Sequence, residues 1–313
     1  MTALAFALGS SLLWGLADFL GGLKSRAHPV AVVLAVMYAA SLTAMGIFVV
    51  ARGEDPPGTE AVLAALCAGL VGISALAAFY SALAIGTMSI VAPIASTGVA
   101  LPVLVGIAGG ERPGALRAIG IAAAVIGVVL ASRETPAEAV SRPGGVAGSD
   151  AVGEPGAVGG PGAIIDGGAT GRRRQRRSIL LALVAGIGFG SYFVAAEIAS
   201  REDVGWALLL SRVSAAPAVV AIAIVALHRG APRPGRRALA ALAAIGLCDL
   251  AANAAYNHAS TLGDLSVVSV ASSLYPATTV VLAALVLGER VRGVQRAGVA
   301  VALAGVLLIA AGG

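Results

Sequence analysis

The sequence predicts an all-α integral membrane protein: ten transmembrane helices arranged as two inverted five-helix repeats. Three observations carry this. Of 313 residues, 58% are hydrophobic and 12% charged, and the mean hydropathy is +0.93. The apolar residues gather into ten runs of about 20, the length a helix needs to cross a bilayer core of roughly 30 Å. The two halves of the chain also repeat each other at an offset near 178 residues.

Twelve of the 37 charged residues lie between Arg133 and Arg177, leaving 25 for the other 268 residues. A water-soluble globule of this size could not cover its surface with so few. Soluble enzymes and nucleic-acid binders are thereby excluded. The net charge of +5 and pI near 9.8 do not point to nucleic acid, because the basic residues sit at the ends of apolar runs, where they set membrane topology. Only helices and closed barrels span a bilayer, and these runs lack the alternation of a barrel strand. No basic n-region precedes the first run, so no cleavable signal peptide is expected. Cys67 and Cys248 lie inside apolar runs without a second Cys or His at ligand spacing, so they read as small core residues and no metal or cofactor is expected.

In chain order the spans fall near 2–22, 29–51, 61–83, 88–109, 114–132, 178–199, 204–228, 238–260, 265–287 and 291–311. Turn signals separate them: Lys24-Ser25-Arg26-Ala27-His28-Pro29, Gly53-Glu54-Asp55-Pro56-Pro57 and Gly230-Ala231-Pro232-Arg233-Pro234. Residues 133–177 are different. They hold 11 Gly and 4 Pro in 45 residues and end in an arginine run, Arg172 to Arg177. Such a segment cannot bury enough surface to order itself and reads as a flexible linker. Its arginines suit lipid headgroups. The domain organisation is therefore 1–132, the linker 133–177, and 178–313.

The repeat is read directly. A shift of 178 places Gly110-Glu111-Arg112 on Gly288-Glu289-Arg290, Gly120 on Gly298 and Gly127 on Gly305. Near the start a shift of 175 places Gly15 on Gly190 and Ser25-Arg26 on Ser200-Arg201. Five helices per copy is an odd number, so the second copy enters from the opposite side. Inverted repeats are the build of transporters that rock two halves about a midplane cavity.

The pieces Leu13-Trp14-Gly15, the proline-interrupted fourth and ninth spans, the Gly-Glu-Arg after each, and the stretch from Ser273 to Arg290 together resemble the EamA family of the drug/metabolite transporter superfamily. The resemblance covers about 1–132 and 178–311. It implies ten helices in two EamA-type repeats in the cell membrane, moving a small polar metabolite or drug. These motifs are structural rather than substrate-reading. The family often has an arginine in the second span; here the first half has Tyr38 and the second half has Arg212.

A charge at the bilayer centre costs at least about 2.5–3.5 kcal/mol, so charges deep in spans are functional candidates. Arg212 and Asp249 are the deepest, roughly 12 and 16 Å from the same side of the membrane, so they can meet. The pair reads equally as a structural lock or as a substrate contact. Asp249, Asn253, Tyr256, Asn257 and Ser260 share one face of the eighth span, and a cavity rather than lipid is expected there. Trp14 and Tyr275 complete the cavity candidates. Asp18 and Glu197 are the proton-coupling candidates, each also close to a helix end. Glu111 and Glu289 read as helix-end partners of neighbouring arginines. Pro93 and Pro102 in the fourth span and Pro276 in the ninth mark kinks and gates. Gly186 and Gly190 form a small-xxx-small packing pair.

A secondary transporter is the leading class, with a channel or non-transporting scaffold next. A membrane enzyme is the weakest reading, since no metal-binding acid pair, His-Glu-x-x-His or Gly-x-Ser-x-Gly is present, and no Walker loop supplies a nucleotide motor. The expected partners are a small-molecule substrate, the lipid bilayer and protons; a homodimer is compatible with the sequence and nucleic acid is not. Sixteen Lys and Arg fall on the linker side and four on the terminal side, which puts the linker in the cytoplasm. The family resemblance implies cytoplasmic termini instead.

Overall fold

The computed structural model describes residues 2–85, 91, 94–131, 167–287 and 293–312, and among these every regular element is helical. In order they are α1 (Thr2–Ala27), α2 (Val30–Arg52), α3 (Thr59–Ile85), a 3₁₀ turn (Thr97–Val99) that runs into α4 (Ala100–Ala108), α5 (Ala115–Ala131), α6 (Gly167–Ser200), α7 (Val204–His228), α8 (Arg236–Leu262), α9 (Leu265–Ser272), α10 (Tyr275–Leu287) and α11 (Gly293–Ala311). Six of them, α1, α2, α3, α6, α7 and α8, are long and apolar enough to cross a membrane, and shorter apolar helices accompany them. Their outward faces carry large aliphatic side chains such as Val50 (80% exposed) and Leu285 (77%). Exposed apolar area on that scale suits a hydrocarbon solvent and would aggregate in water.

The helix ends follow local chemistry. Pro29 precedes α2, where its missing N–H costs nothing. Gly53 ends α2 in the left-handed region at φ 64°, which a side chain would resist. Asp203 caps α7, accepting the Trp206 N–H at 2.6 Å.

The packing comes in couples. With α1 matched to α6, α2 to α7 and α3 to α8, α3 lies along α6 as α1 lies along α8, and α3 against α7 as α2 against α8. Helix α2 packs on α7, and α5 on α11, each on its own counterpart. Close backbone approaches obey the same correspondence. Gly15 meets Tyr275 and Thr278 at the start of α10, while Gly190 meets Gly98 and Leu101 at the start of α4. Gly246 abuts Met37, and Gly69 abuts Ser211, the counterpart of Met37. A methyl at either of the last two glycines would strike a backbone carbonyl. Gly186 lies against the carbonyls of Ile94 and Ala95, so the Gly186/Gly190 pair does serve close packing.

Three sequence expectations need correction. The linker does not extend to Arg177: α6 begins at Gly167, so the arginine run is helical, with Arg173, Arg174, Arg176 and Arg177 exposed on its first turns. A helix already propagating carries poor formers at small cost per residue. The rest of the linker, together with Pro93 and Glu289, lies outside the described residues. The ninth span is two helices, α9 and α10, broken at Ser273-Leu274 just before Pro276. Pro102 is the third residue of α4, which follows directly on the 3₁₀ turn. Cys67 is exposed on the apolar flank and not in the core.

Candidate functional site

Halfway along the long helices, seven elements surround a narrow cavity of about 50 Å³. That is room for a few water molecules. Helix α1 contributes Trp14 and Asp18, α2 Tyr38, α7 Arg212, α8 Asp249 and Asn253, and α10 Tyr275. The small residues Ala68, Gly69 and Gly72 of α3 leave the space, and Phe189, Tyr192 and Phe193 of α6 wall it.

The cavity lies where the two halves meet. Under the shift of 175, Trp14 corresponds to Phe189 and Asp18 to Phe193; a shift of 174 in the second span places Tyr38 on Arg212 and Met37 on Ser211. All of these but Met37 and Ser211 line it. The Arg212 guanidinium stacks over the Tyr38 ring at 4.9 Å, a cation–π contact between counterpart positions.

Arg212 Nη2 donates to Asp249 Oδ2 at 3.1 Å, with side-chain exposures of 3% and 12%. The pair expected from span depths therefore forms. A buried guanidinium is tolerable only when most of its N–H groups are engaged. Here the carboxylate and the Tyr38 face engage part of it, and Nε has no hydrogen-bond partner among the described residues. Trp14 lines the same cavity as this pair. Asn253 Nδ2 donates to the Asp249 carbonyl at 2.6 Å, and its Oδ1 accepts from the Tyr192 hydroxyl. The centre is thus a network of contacts spanning α2, α6, α7 and α8.

Asp18 is buried on the same wall, takes a long hydrogen bond of 3.5 Å from the Tyr80 hydroxyl, and has no cation within ion-pair distance among the described residues. Two carboxylates and one guanidinium therefore face the cavity.

The polar face of α8 divides. Asp249 and Asn253 reach the cavity; Tyr256 and Asn257 do not. The Tyr256 hydroxyl donates to the Phe193 carbonyl at 2.9 Å and meets Ser269 Oγ at 3.3 Å, and its ring stacks near Trp14 and Phe193. It ties α8 to α6 and α9. Asn257 is buried with its Oδ1 unpartnered among the described residues. The reason is height rather than angle: residues at +7 and +8 lie about 10–12 Å further along α8 than Asp249, where α6 and α9 close over Tyr256. Glu197 is also elsewhere. It grips Arg201 one turn on, at 2.9 and 3.1 Å, near the end of α6, and this hydrogen-bonded carboxylate raises the Arg201 guanidinium above its ordinary value.

Several residues that matter here were not singled out from sequence. Phe189, Tyr192 and Phe193 line the cavity; the signal was available, since the Gly15/Gly190 register places them opposite Trp14, Ala17 and Asp18. Pro217 interrupts α7 five residues beyond Arg212. Glu111 does not pair with an arginine: its carboxylate caps α9, accepting the Leu265 N–H at 2.7 Å and the Ser266 N–H at 3.2 Å. An anion at a helix N-terminus is favoured by the dipole and by the free amides there.

These features define a polytopic membrane protein with a polar centre built from both halves. The sequence pattern of the EamA-like transporter family matches residues 1–133 and 176–311, and the chain belongs to that family. It is a transporter of the drug/metabolite type. No curated protein matches the chain. A solved protein structure aligns over 98% of this chain and 95% of its own, with a TM-score of 0.65 at 17% identity, which shows a shared fold.

Proposed function

We propose that the chain is a secondary active transporter of the cell membrane that moves a small polar metabolite or drug by alternating access. In this reading ten spans form two inverted repeats, 1–132 and 178–313, and the cavity between them is the substrate site. The observation that carries it is that counterpart residues, Trp14 and Phe189, Asp18 and Phe193, Tyr38 and Arg212, line one cavity around a buried charge network, with Arg212 stacked on Tyr38. A cavity on the relating axis of two halves is reached from either side by rocking one half against the other. The broken α9–α10 helix and the 3₁₀ turn before α4 stand at corresponding places and serve as the gates. The excess of arginine on the linker side supports a cytoplasmic linker.

Substrate polar groups meet Arg212, Asp249 and Asn253, and the apolar body meets Trp14, Tyr38 and Tyr275. Asp18, buried without a cation partner among the described residues, carries the coupling proton; Glu197, already held by Arg201, does not. The test is a thermal-shift screen of amino acids, nucleosides and cationic drugs on purified protein, followed by countertransport of each hit in proteoliposomes. Substrate-dependent exchange that disappears on changing Arg212 and Asp249 together supports the reading. Exchange unaffected by that change would refute it, and stabilising ligands that never exchange would point to a non-transporting scaffold.

A further inference from the structure

Among the described residues, the ion pairs between the two halves lie at one end of the bundle. At the end bearing the chain termini, Arg52 at the close of α2 holds Asp203 ahead of α7 through two contacts, 2.8 and 3.3 Å. Beside it the Gly58 N–H donates to Glu202 at 2.6 Å, and the Trp206 indole N–H donates to the Glu54 carbonyl at 3.3 Å. A second cluster at the same end joins Arg117 of α5 to Asp264 ahead of α9 at 2.8 Å, next to the Glu111 carboxylate on the α9 amides. Every one of these ties runs from residues before 133 to residues after 176.

The repeat places a counterpart of each ion pair at the linker end. Asp203 corresponds to His28 under the shift of 175. Arg52 corresponds to Arg229, each directly preceding a left-handed glycine, Gly53 at φ 64° and Gly230 at φ 86°. Arg117 corresponds to Gln295, and Asp264 to Gly86. Where the terminal end has arginine facing aspartate, the linker end has arginine matched with histidine, and glutamine with glycine. Neither can form an ion pair.

We propose that Arg52–Asp203 and Arg117–Asp264 are an unsymmetrical gate that latches the terminal side, so that the unloaded protein rests with its cavity reached from the linker side. The proposal rests on the alternating-access reading above. A rocking bundle must break both pairs to open the terminal side, and the corresponding positions at the other end offer no ion pair to break. The pairs are partly exposed, at 30% and 19% for Arg52 and Asp203 and 29% and 49% for Arg117 and Asp264, so each alone is weak. Together they bias the two states about tenfold, which corresponds to about 1.4 kcal/mol.

The test places one reporter in the cavity wall, Leu76→Cys, in a full-length chain carrying Cys67→Ala and Cys248→Ala. A membrane-impermeant cationic methanethiosulfonate is applied from each side of sealed vesicles. With the gate intact, labelling is faster from the linker side. Arg52→Gln with Arg117→Gln raises terminal-side labelling about tenfold. Arg117→Asp raises it as well, and Arg117→Asp with Asp264→Arg brings it back, a rescue that lost folding would not give. Unchanged terminal-side labelling in the glutamine variant, or equal labelling from both sides in the parent, overturns the gate. Labelling from neither side in all variants overturns the accessible cavity itself, and the gate with it.

Discussion

Asp249→Asn is the sharpest probe of the centre. The amide is nearly the same size and keeps the Arg212 hydrogen bond within reach, so packing changes little and charge changes by one. At 3.1 Å and an effective dielectric of about 20, the attraction lost is about 5 kcal/mol before solvation terms offset part of it. Leaving the 3%-exposed Arg212 without its counter-charge is therefore expected to cost about 3–5 kcal/mol. Adding Arg212→Gln removes the stranded charge, and stability should return to within about 1 kcal/mol of the parent, because a neutral buried pair is comparable to an ionic one. Thermal stability in detergent reads the first quantity, and countertransport of a ligand from the thermal-shift screen reads the second. The double variant should be folded and inactive. A double variant as stable as the parent and transporting at the parental rate would refute a role for the pair in the cavity and reduce it to a lock between α7 and α8.

Asp18→Asn should leave thermal stability nearly unchanged, since no cation depends on it, and should flatten the pH dependence of exchange; a parental pH profile would remove Asp18 as the proton carrier. Gly69→Ala and Gly246→Ala should each lower stability by about 1–3 kcal/mol through overpacking against the Ser211 and Met37 backbones. Gly9→Ala, where a methyl meets open space, is the control and should be neutral or slightly stabilising in the same melt. Glu111→Ala should destabilise by about 1–2 kcal/mol through loss of a charged cap on two α9 amides, with Glu111→Gln intermediate; equal stability of all three would mean the cap contributes nothing.

Much of this was legible because the bilayer imposes simple rules. Span length and the cost of buried charge pick out Arg212 and Asp249 and place them at depths where they can meet, and they do at 3.1 Å. Register between the halves is legible because glycines at close approaches cannot vary: Gly15 and Gly190 sit against corresponding places on α10 and α4. Other features were hidden for identifiable reasons. Aromatic residues such as Phe193 read as lipid-facing or core in any apolar run, and only their correspondence to a residue such as Asp18 marks them. Tyr256 has the spacing of a cavity residue, yet the helix packed over it decides its partner. Glu111 lies beside arginines in sequence, but its partners, the amides of Leu265 and Ser266, are more than 150 positions away, and no local pattern announces such a cap.

The stacking of Arg212 on Tyr38 bears on how such a chain could arise. On the inverted-repeat reading these two positions face each other across the relating axis, 4.9 Å apart from guanidinium to ring centre. A dimer of two identical five-helix proteins would have to place the same residue at both. Two arginines there would set like charges against each other in a low-dielectric interior, and two tyrosines would leave Asp249 without a cation. One cation cushioned by one aromatic ring is reachable only after the copies have become free to differ. Two halves of unlike sequence, here joined in one chain, are therefore a condition for a single cation at the centre.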